Sequence, residues 1–168
     1  MPTMYMMVGV PASGKSTWIA NRKHNAVVIS SDDLIEAYAA EQGKTYNEVF
    51  REQIKIATGI VKTEAQKAFA EGRDVIWDQT NLTVRSRKSK LDMVPKSYTK
   101  VAVYFATPAE HVWRQRLESR PGKSIPWHIL DGMAEMIELP TAEEGFDEIR
   151  YDFRNAATKA LILQKFAV

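Results

Sequence analysis

Cysteine is absent from this chain of 168 residues, which excludes disulfides and thiolate metal sites and agrees with a cytoplasmic setting. No apolar run approaches the roughly 20 residues of a membrane span, so no membrane partner is expected. The N-terminal apolar stretch runs straight into a glycine-containing loop and does not read as a signal peptide. Neither charge sign dominates: 23 Lys and Arg against 21 Asp and Glu leave a net charge of +2. That balance permits a polyanionic partner but does not argue for one, so any case for nucleic acid has to come from local residues. The three histidines, His24, His111 and His128, lack metal-ligand spacing and are assigned nothing. Internal repeats, linkers and low-complexity segments are also missing. What remains is ordinary globular composition, 45% hydrophobic and 26% charged, in a length that suits a single domain over 1–168.

The apolar runs alternate with helical patterns. Met4–Val8, Ala26–Ser30, Arg73–Trp77, Lys100–Ala106 and 148–153 read as strands. Between them Lys15–Arg22, Ser31–Ala40, a long segment to Glu71, 83–93, a segment to Ser119 and Pro126–Glu138 read as helices. An apolar terminal helix is expected from Ala156 to Phe166. Thr45-x-x-Glu48 is a capping box opening the long helix, whose stripe Phe50, Ile54, Ala57, Val61, Ala65 and Ala68 should face the core. Thr107-Pro108-Ala109-Glu110 combines a second capping box with proline at the first helical position. Trp77, Trp113 and Trp127 read as packing residues. The pattern predicts an α/β fold, a parallel sheet of about five strands sandwiched by helices, with its active site beyond the carboxyl ends of the strands.

Gly9-Val10-Pro11-Ala12-Ser13-Gly14-Lys15-Ser16 follows the first strand and opens the first helix. It matches the phosphate-binding loop G-x-x-x-x-G-K-[ST] in the context that pattern requires. Backbone amides over residues 9–17, Thr17 included, should cradle phosphates. Lys15 should reach the β- and γ-phosphates, and the Ser16 hydroxyl should ligate Mg²⁺. ATP or another nucleoside triphosphate is therefore the expected donor.

Other polar residues follow strands and so share that edge. Asp32 and Asp33 suit either helix capping or acceptance of a proton from an attacking hydroxyl; position alone does not choose between them. Asp78, followed by Thr80 and Asn81, is a candidate second metal contact or acceptor-side group. Arg116 and Arg120 lie one helical turn apart in a lid expected over about 114–127, where Pro121 and Gly122 suit a mobile segment. Their guanidinium groups could close on the triphosphate. Arg85, Arg87, Lys88 and Lys90 form a basic stretch that is either a solvated helix face or a grip on a phosphate backbone.

The same motifs, in the same order, resemble the kinase domain of phage-type polynucleotide 5′-hydroxyl kinases over roughly residues 4–138. The resemblance rests on Gly14-Lys15-Ser16-Thr17-Trp18, Asp32-Asp33, Asp78-Gln79-Thr80-Asn81, and Arg116, Arg120, Lys123 and Pro126. Pro140-Thr141-x-x-Glu144-Gly145-Phe146 looks like a segment of related end-healing kinases. It implies ATP with Mg²⁺ as donor, the 5′-hydroxyl end of DNA or RNA as acceptor, and a host cytoplasm if the origin is phage. It further implies Asp32 as general base, Arg120 on the donor phosphates, Arg116 supporting the lid, and Asp33, Asp78, Thr80, Asn81, Arg85 and Arg87 on the acceptor side. The chain departs in placing Ile35 where the family has an arginine used on the acceptor strand, and in leaving no room for the phosphatase domain of many relatives. Two other classes remain open: a small-molecule kinase on the same fold, and an ATPase that switches a protein interaction. The apolar terminal helix (Ala160, Leu161, Ile162, Leu163, Phe166) offers a surface for a second copy.

Overall fold

In the computed structural model, residues 1–22 and 25–152 are described. Short β-branched and apolar runs form five strands: β1 (Thr3–Val8), β2 (Val27–Ile29), β3 (Val75–Trp77), β4 (Thr99–Phe105) and β5 (Glu148–Asp152). They pair in the order β2-β3-β1-β4-β5, every neighbouring pair parallel. One row across the sheet reads Ile29, Trp77, Met6, Ala102 and Ile149. Among the described residues, six α-helices connect or follow them: α1 (Lys15–Ala20), α2 (Ser31–Glu41), α3 (Tyr46–Ala70), α4 (Val84–Leu91), α5 (Glu110–Glu118) and α6 (Trp127–Glu135).

Parallel strands need both faces covered, which explains why β3 and the inner stretches of β1 (Met4–Val8) and β4 (Val101–Phe105) are apolar. Met4, Met6, Val8, Val75, Trp77, Ala102 and Tyr104 meet Val61, Ala65, Ala68 and Phe69 of α3. Met7, Ile76, Val101, Val103 and Phe105, on the opposite face, meet Trp18 and Ile19 of α1. The expected sandwich is thus present. So are the capping box at Thr45 and Glu48 and the packing roles of the tryptophans: Trp77 and Trp113 are buried, and Trp127 meets Trp113 edge-on at 5.1 Å.

Two local expectations are corrected. The core face of α3 runs through Val49, Gln53, Ala57, Val61, Ala65 and Ala68, whereas Phe50 is 37% exposed. Phe50 sits one residue off the stripe and stacks on Tyr46 instead. Nor does Thr107-Pro108 open a helix. Ala109 is the residue before α5, in an extended conformation with no side-chain cap, and the helix begins at Glu110. With ψ of 143° at Ala109, the chain stays out of the helical region past Pro108, and the first turn starts two residues later than the proline. The terminal helix expected over 156–166, and any contact through it, lies outside the described residues.

Arg87 shows what the basic stretch of α4 is for. Its side chain is fully buried and forms a two-pronged ion pair with Glu144, Nε to Oε2 at 2.7 Å and Nη2 to Oε1 at 2.8 Å. Nη1 also donates to the carbonyls of Asn81, Leu82 and Glu138. One guanidinium therefore ties the loop after β3 to the segment that leads into β5. The expectation that Arg87 faces an acceptor is overturned: it is a buried strut. Removing one partner of a buried pair strands the other, at a cost of about 3–5 kcal/mol. Arg87→Met is expected to lower the unfolding free energy by about that amount, measured by urea denaturation. A change within experimental error would contradict the strut.

Candidate functional site

The loop between β1 and α1 has the geometry that a phosphate cradle needs. Ala12 and Gly14 both take positive φ, 60° and 113°, so successive amides curl towards one side. Gly14 accommodates that conformation because it has no Cβ. The loop is braced from outside: Trp113 Nε1 donates to the Pro11 carbonyl at 2.7 Å and Arg116 Nη1 to the Ala12 carbonyl at 3.2 Å. Gly9 N donates to the Thr80 carbonyl at 3.0 Å. Lys15 Nζ folds back to donate to the carbonyls of Gly9 and Val10 at 3.0 and 2.8 Å. The buried Ser13 hydroxyl has no hydrogen-bond partner among the described residues; it lies behind the loop close to Gly9, where a Cβ would approach it to 2.7 Å.

A cavity of about 460 Å³ opens beside the loop. Pro11, Ala12, Gly14, Lys15, Ser16 and Thr17 line one wall; Asp32, Asp33, Asp78 and Thr80 line another; Arg116, Arg120 and Lys123 overhang it. The fold explains the convergence, because each group follows the carboxyl end of a parallel strand or sits on the lid beyond it. Most of the residues read from the sequence thus come together. Gly9 and Ser13 belong to the loop but not to the cavity wall. Asn81, Arg85 and Arg87 lie outside that wall. Asn81 is buried with φ of 48° and donates to the Met7 and Gln79 carbonyls, while Lys90 donates to its side-chain oxygen. It is a turn-former that fixes the loop after β3. Arg85 is exposed on α4, and Lys88 pairs with Asp92 on the surface. The basic stretch therefore does not form one face.

Sequence reading missed Tyr46, Glu36 and the position of Lys123. Tyr46 donates its hydroxyl proton to Asp32 Oδ1 at 2.7 Å, and Lys123 donates to Asp32 Oδ2 at 2.8 Å and to Glu36 Oε1 at 2.9 Å. A charge-assisted pair with one partner half in water contributes on the order of 1 kcal/mol, so a ligand can break it. Glu36 lies four residues beyond Asp32, on the same helical face, which is a readable signal. Tyr46 is fourteen residues from Asp32 on another helix, and no local pattern announces it. Ile35 is fully buried against Ala39, Val49 and Ala57, so its position faces α3 rather than the cavity.

The cavity separates its carboxylates by environment. Burial pushes Asp32 up, but the hydrogen bond and charge of Lys123, the Tyr46 hydroxyl and the charge of Arg120 outweigh it and hold the group below the usual range. Asp33 and Asp78 go the other way, chiefly through burial, reinforced by neighbouring carboxylates. Asp32 is thus the aspartate of the three whose carboxylate form its neighbours favour. Burial lowers Lys15 to about 8, against the opposing pull of Asp78.

Residues 4–140 match the family model described as an AAA domain, and the chain belongs to that family. It is 26% identical over 148 residues to a bifunctional polynucleotide phosphatase/kinase of Schizosaccharomyces pombe; the match covers 86% of this chain and 32% of that protein. The chain therefore spans about a third of the length of that relative. Among solved structures it superposes on a chain of the Pnkp1/Rnl/Hen1 RNA repair complex with a TM-score of 0.63 at 23% identity, covering 87% of this chain and 46% of that one. A gluconokinase from Sinorhizobium meliloti 1021 gives 0.53 at 18% identity, covering 99% and 96%. The chain thus shares sequence with part of a phosphatase/kinase and its fold with a gluconokinase. Among the described residues, no helix is long and apolar enough to cross a membrane.

Nucleotide binding by such a loop needs Lys15 as a cation. With its ammonium lowered to about 8, the free protein loses that charge above this pH, and a bound triphosphate restores it by taking up a proton. ATP affinity is therefore expected to weaken above pH 8, approaching about tenfold per pH unit, whereas Lys15→Met should respond much less. Calorimetric titration from pH 7 to 9.5 checks this; an unchanged dissociation constant would contradict it.

Proposed function

We propose that the chain transfers the γ-phosphoryl group of ATP to the 5′-hydroxyl end of a polynucleotide. The observation that carries the reading is one cavity in which Lys15 and its loop face the carboxylate of Asp32 under a lid that bears Arg116 and Arg120. The loop amides, Lys15 and Arg120 are donors where charge spreads over the transferring group. Asp32 takes the proton of the acceptor hydroxyl. The hydroxyl oxygen bonds to the γ-phosphorus as the bond to the bridging oxygen breaks, its electron pair leaving on ADP. Arg116, tied to the Ala12 carbonyl, couples lid position to the loop.

Magnesium suits this donor set. Ser16 carries an exposed hydroxyl on the cavity wall, and Asp78 lies on the same wall; both offer hard oxygens. Among the described residues no group of three or more His, Cys, Asp or Glu could hold a metal, which fits an ion that arrives with the nucleotide. Ser16 and Asp78 would hold it, and when bound it neutralises charge on the β- and γ-oxygens.

The polynucleotide acceptor draws support from the similarity to the phosphatase/kinase relative and from Lys123 beside Asp32. A second reading, a small-molecule hydroxyl as acceptor, is favoured by the buried Ile35 and the inward-turned Arg87, which leave the acceptor side with few cations. Labelled ATP offered to a dephosphorylated oligonucleotide, and to nucleosides and sugar acids, separates the two. Label in the oligonucleotide is expected; label in a metabolite alone would favour the second reading. Asp32→Asn is expected to lower the transfer rate by about 10²–10⁴ with a melting temperature lowered by no more than about 2–4 °C. Undiminished transfer would remove Asp32 from the chemistry.

A further inference from the structure

Lys123 is held too deliberately to be a stray surface cation. Its side chain is 8% exposed, although its two carboxylate partners are each about half exposed, Asp32 at 51% and Glu36 at 52%. The Tyr46 ring lies 4.2 Å from its ammonium. The lid segment that carries it is fastened to the start of α3. Asn47 Nδ2 donates to the Ser124 carbonyl at 2.8 Å, Ser124 N donates to Asn47 Oδ1 at 3.0 Å, and Asn47 N donates to the Gly122 carbonyl at 3.3 Å. Gly122 takes φ of +70° against Thr45, where a Cβ would approach the Thr45 side chain to 3.2 Å.

Two consequences follow for Asp32. Both of its oxygens are engaged, Oδ1 by the Tyr46 hydroxyl and Oδ2 by Lys123. Further charge reaches it from Glu36 and Asp33 on its own helix, from Arg120 on the lid, and from Lys15 and Asp78 across the cavity. In addition, a second hollow of about 570 Å³, lined by Lys44, Thr45 and Pro121, shares Glu36, Arg120 and Lys123 with the phosphate cavity. The ammonium lies where the two spaces meet.

We propose that Lys123 masks the half-exposed Asp32 carboxylate by occupying its Oδ2 atom, and leaves it for the negative charge of an incoming acceptor, so that the base is released only when an anionic acceptor is in place. This rests on Asp32 acting as base in the reaction proposed above. It names the acceptor class more closely: a hydroxyl with a phosphate nearby, as in the terminal nucleotide of a strand. Lys123 thereby takes up the anion contact that Ile35, facing the core, cannot make. Lys123 is a positioning residue, and what it prevents is a balanced side reaction. A water oxygen bonds to the γ-phosphorus, one water proton passes to Asp32, and the bridging bond breaks with its electron pair leaving on ADP, giving phosphate.

The test is phosphate release by the full chain from ATP and Mg²⁺ with no acceptor, beside transfer to a dephosphorylated oligonucleotide. Lys123→Met is expected to raise acceptor-free hydrolysis about tenfold, as the loss of one charge-assisted contact on the base implies. It should also raise the apparent KM for the oligonucleotide, while KM for ATP stays within about twofold. Asn47→Ala, which frees the lid segment without touching Asp32, should move hydrolysis in the same direction by less, and Lys123→Arg should restore coupling. A purely structural role for Lys123 would lower both rates together. Hydrolysis by Lys123→Met and Asn47→Ala at or below the wild-type level, including no release by any of them, would overturn the masking. Raised hydrolysis with an unmoved oligonucleotide KM would overturn the hand-over to an anionic acceptor. Raised hydrolysis in a protein that never labels the oligonucleotide would sink the polynucleotide acceptor while leaving the masking supported.

Discussion

Parallel pairing of β1 with both β3 and β4 is the constraint on which everything else in this molecule depends. It sets the carboxyl ends of three buried strands side by side, β2 extends the row through β3, and the loops that carry Lys15, Asp32 and Asp78 begin along that edge. Had β3 run antiparallel, Asp78 would sit at the far end of the sheet from Lys15. The pairing is enforced by apolar side chains on both faces, because a strand such as Met4–Val8 has no polar face to offer water. Burial of the sheet and assembly of the site are therefore one event.

Charge is arranged within that frame so that like groups behave differently. Three aspartates share one cavity, yet Lys123, Tyr46 and Arg120 hold Asp32 below the usual carboxylate range, while burial raises Asp33 and Asp78. Lys15, Arg120 and Lys123 supply the opposing sign from two directions, the loop below and the lid above. Residues Arg120 and Lys123 beyond α5 are accordingly part of the electrostatics around Asp32.

The alternation of strands and helices, the sheet edge and the phosphate loop were legible in the sequence because each rests on local patterns: apolar runs, turn glycines, and lysine beside a helix start. Asp32, Asp78, Arg116 and Arg120 were legible as members of one site because strand ends converge. Roles that depend on long-range burial were not. Arg87 reads as a surface cation in a basic helix, and only the carboxylate of Glu144, 57 residues away, turns it inward. Phe50 fits a helical stripe as well as Val49 does, and the angle at which α2 meets α3 decides between them. Tyr46 carries no motif at all; its hydroxyl finds Asp32 because the turn after α2 brings the start of α3 back across it.

In the proposed reaction the loop and Asp32 face the two ends of one phosphoryl transfer. The most direct measurement is a crystal structure with ADP, Mg²⁺ and a short oligonucleotide ending in a 5′-hydroxyl. The account expects the β-phosphate within hydrogen-bond reach of the loop amides and Lys15, and the terminal hydroxyl within reach of an Asp32 oxygen that Lys123 has left. A phosphate bound elsewhere, or a terminal hydroxyl lodged against any group other than Asp32, would contradict it.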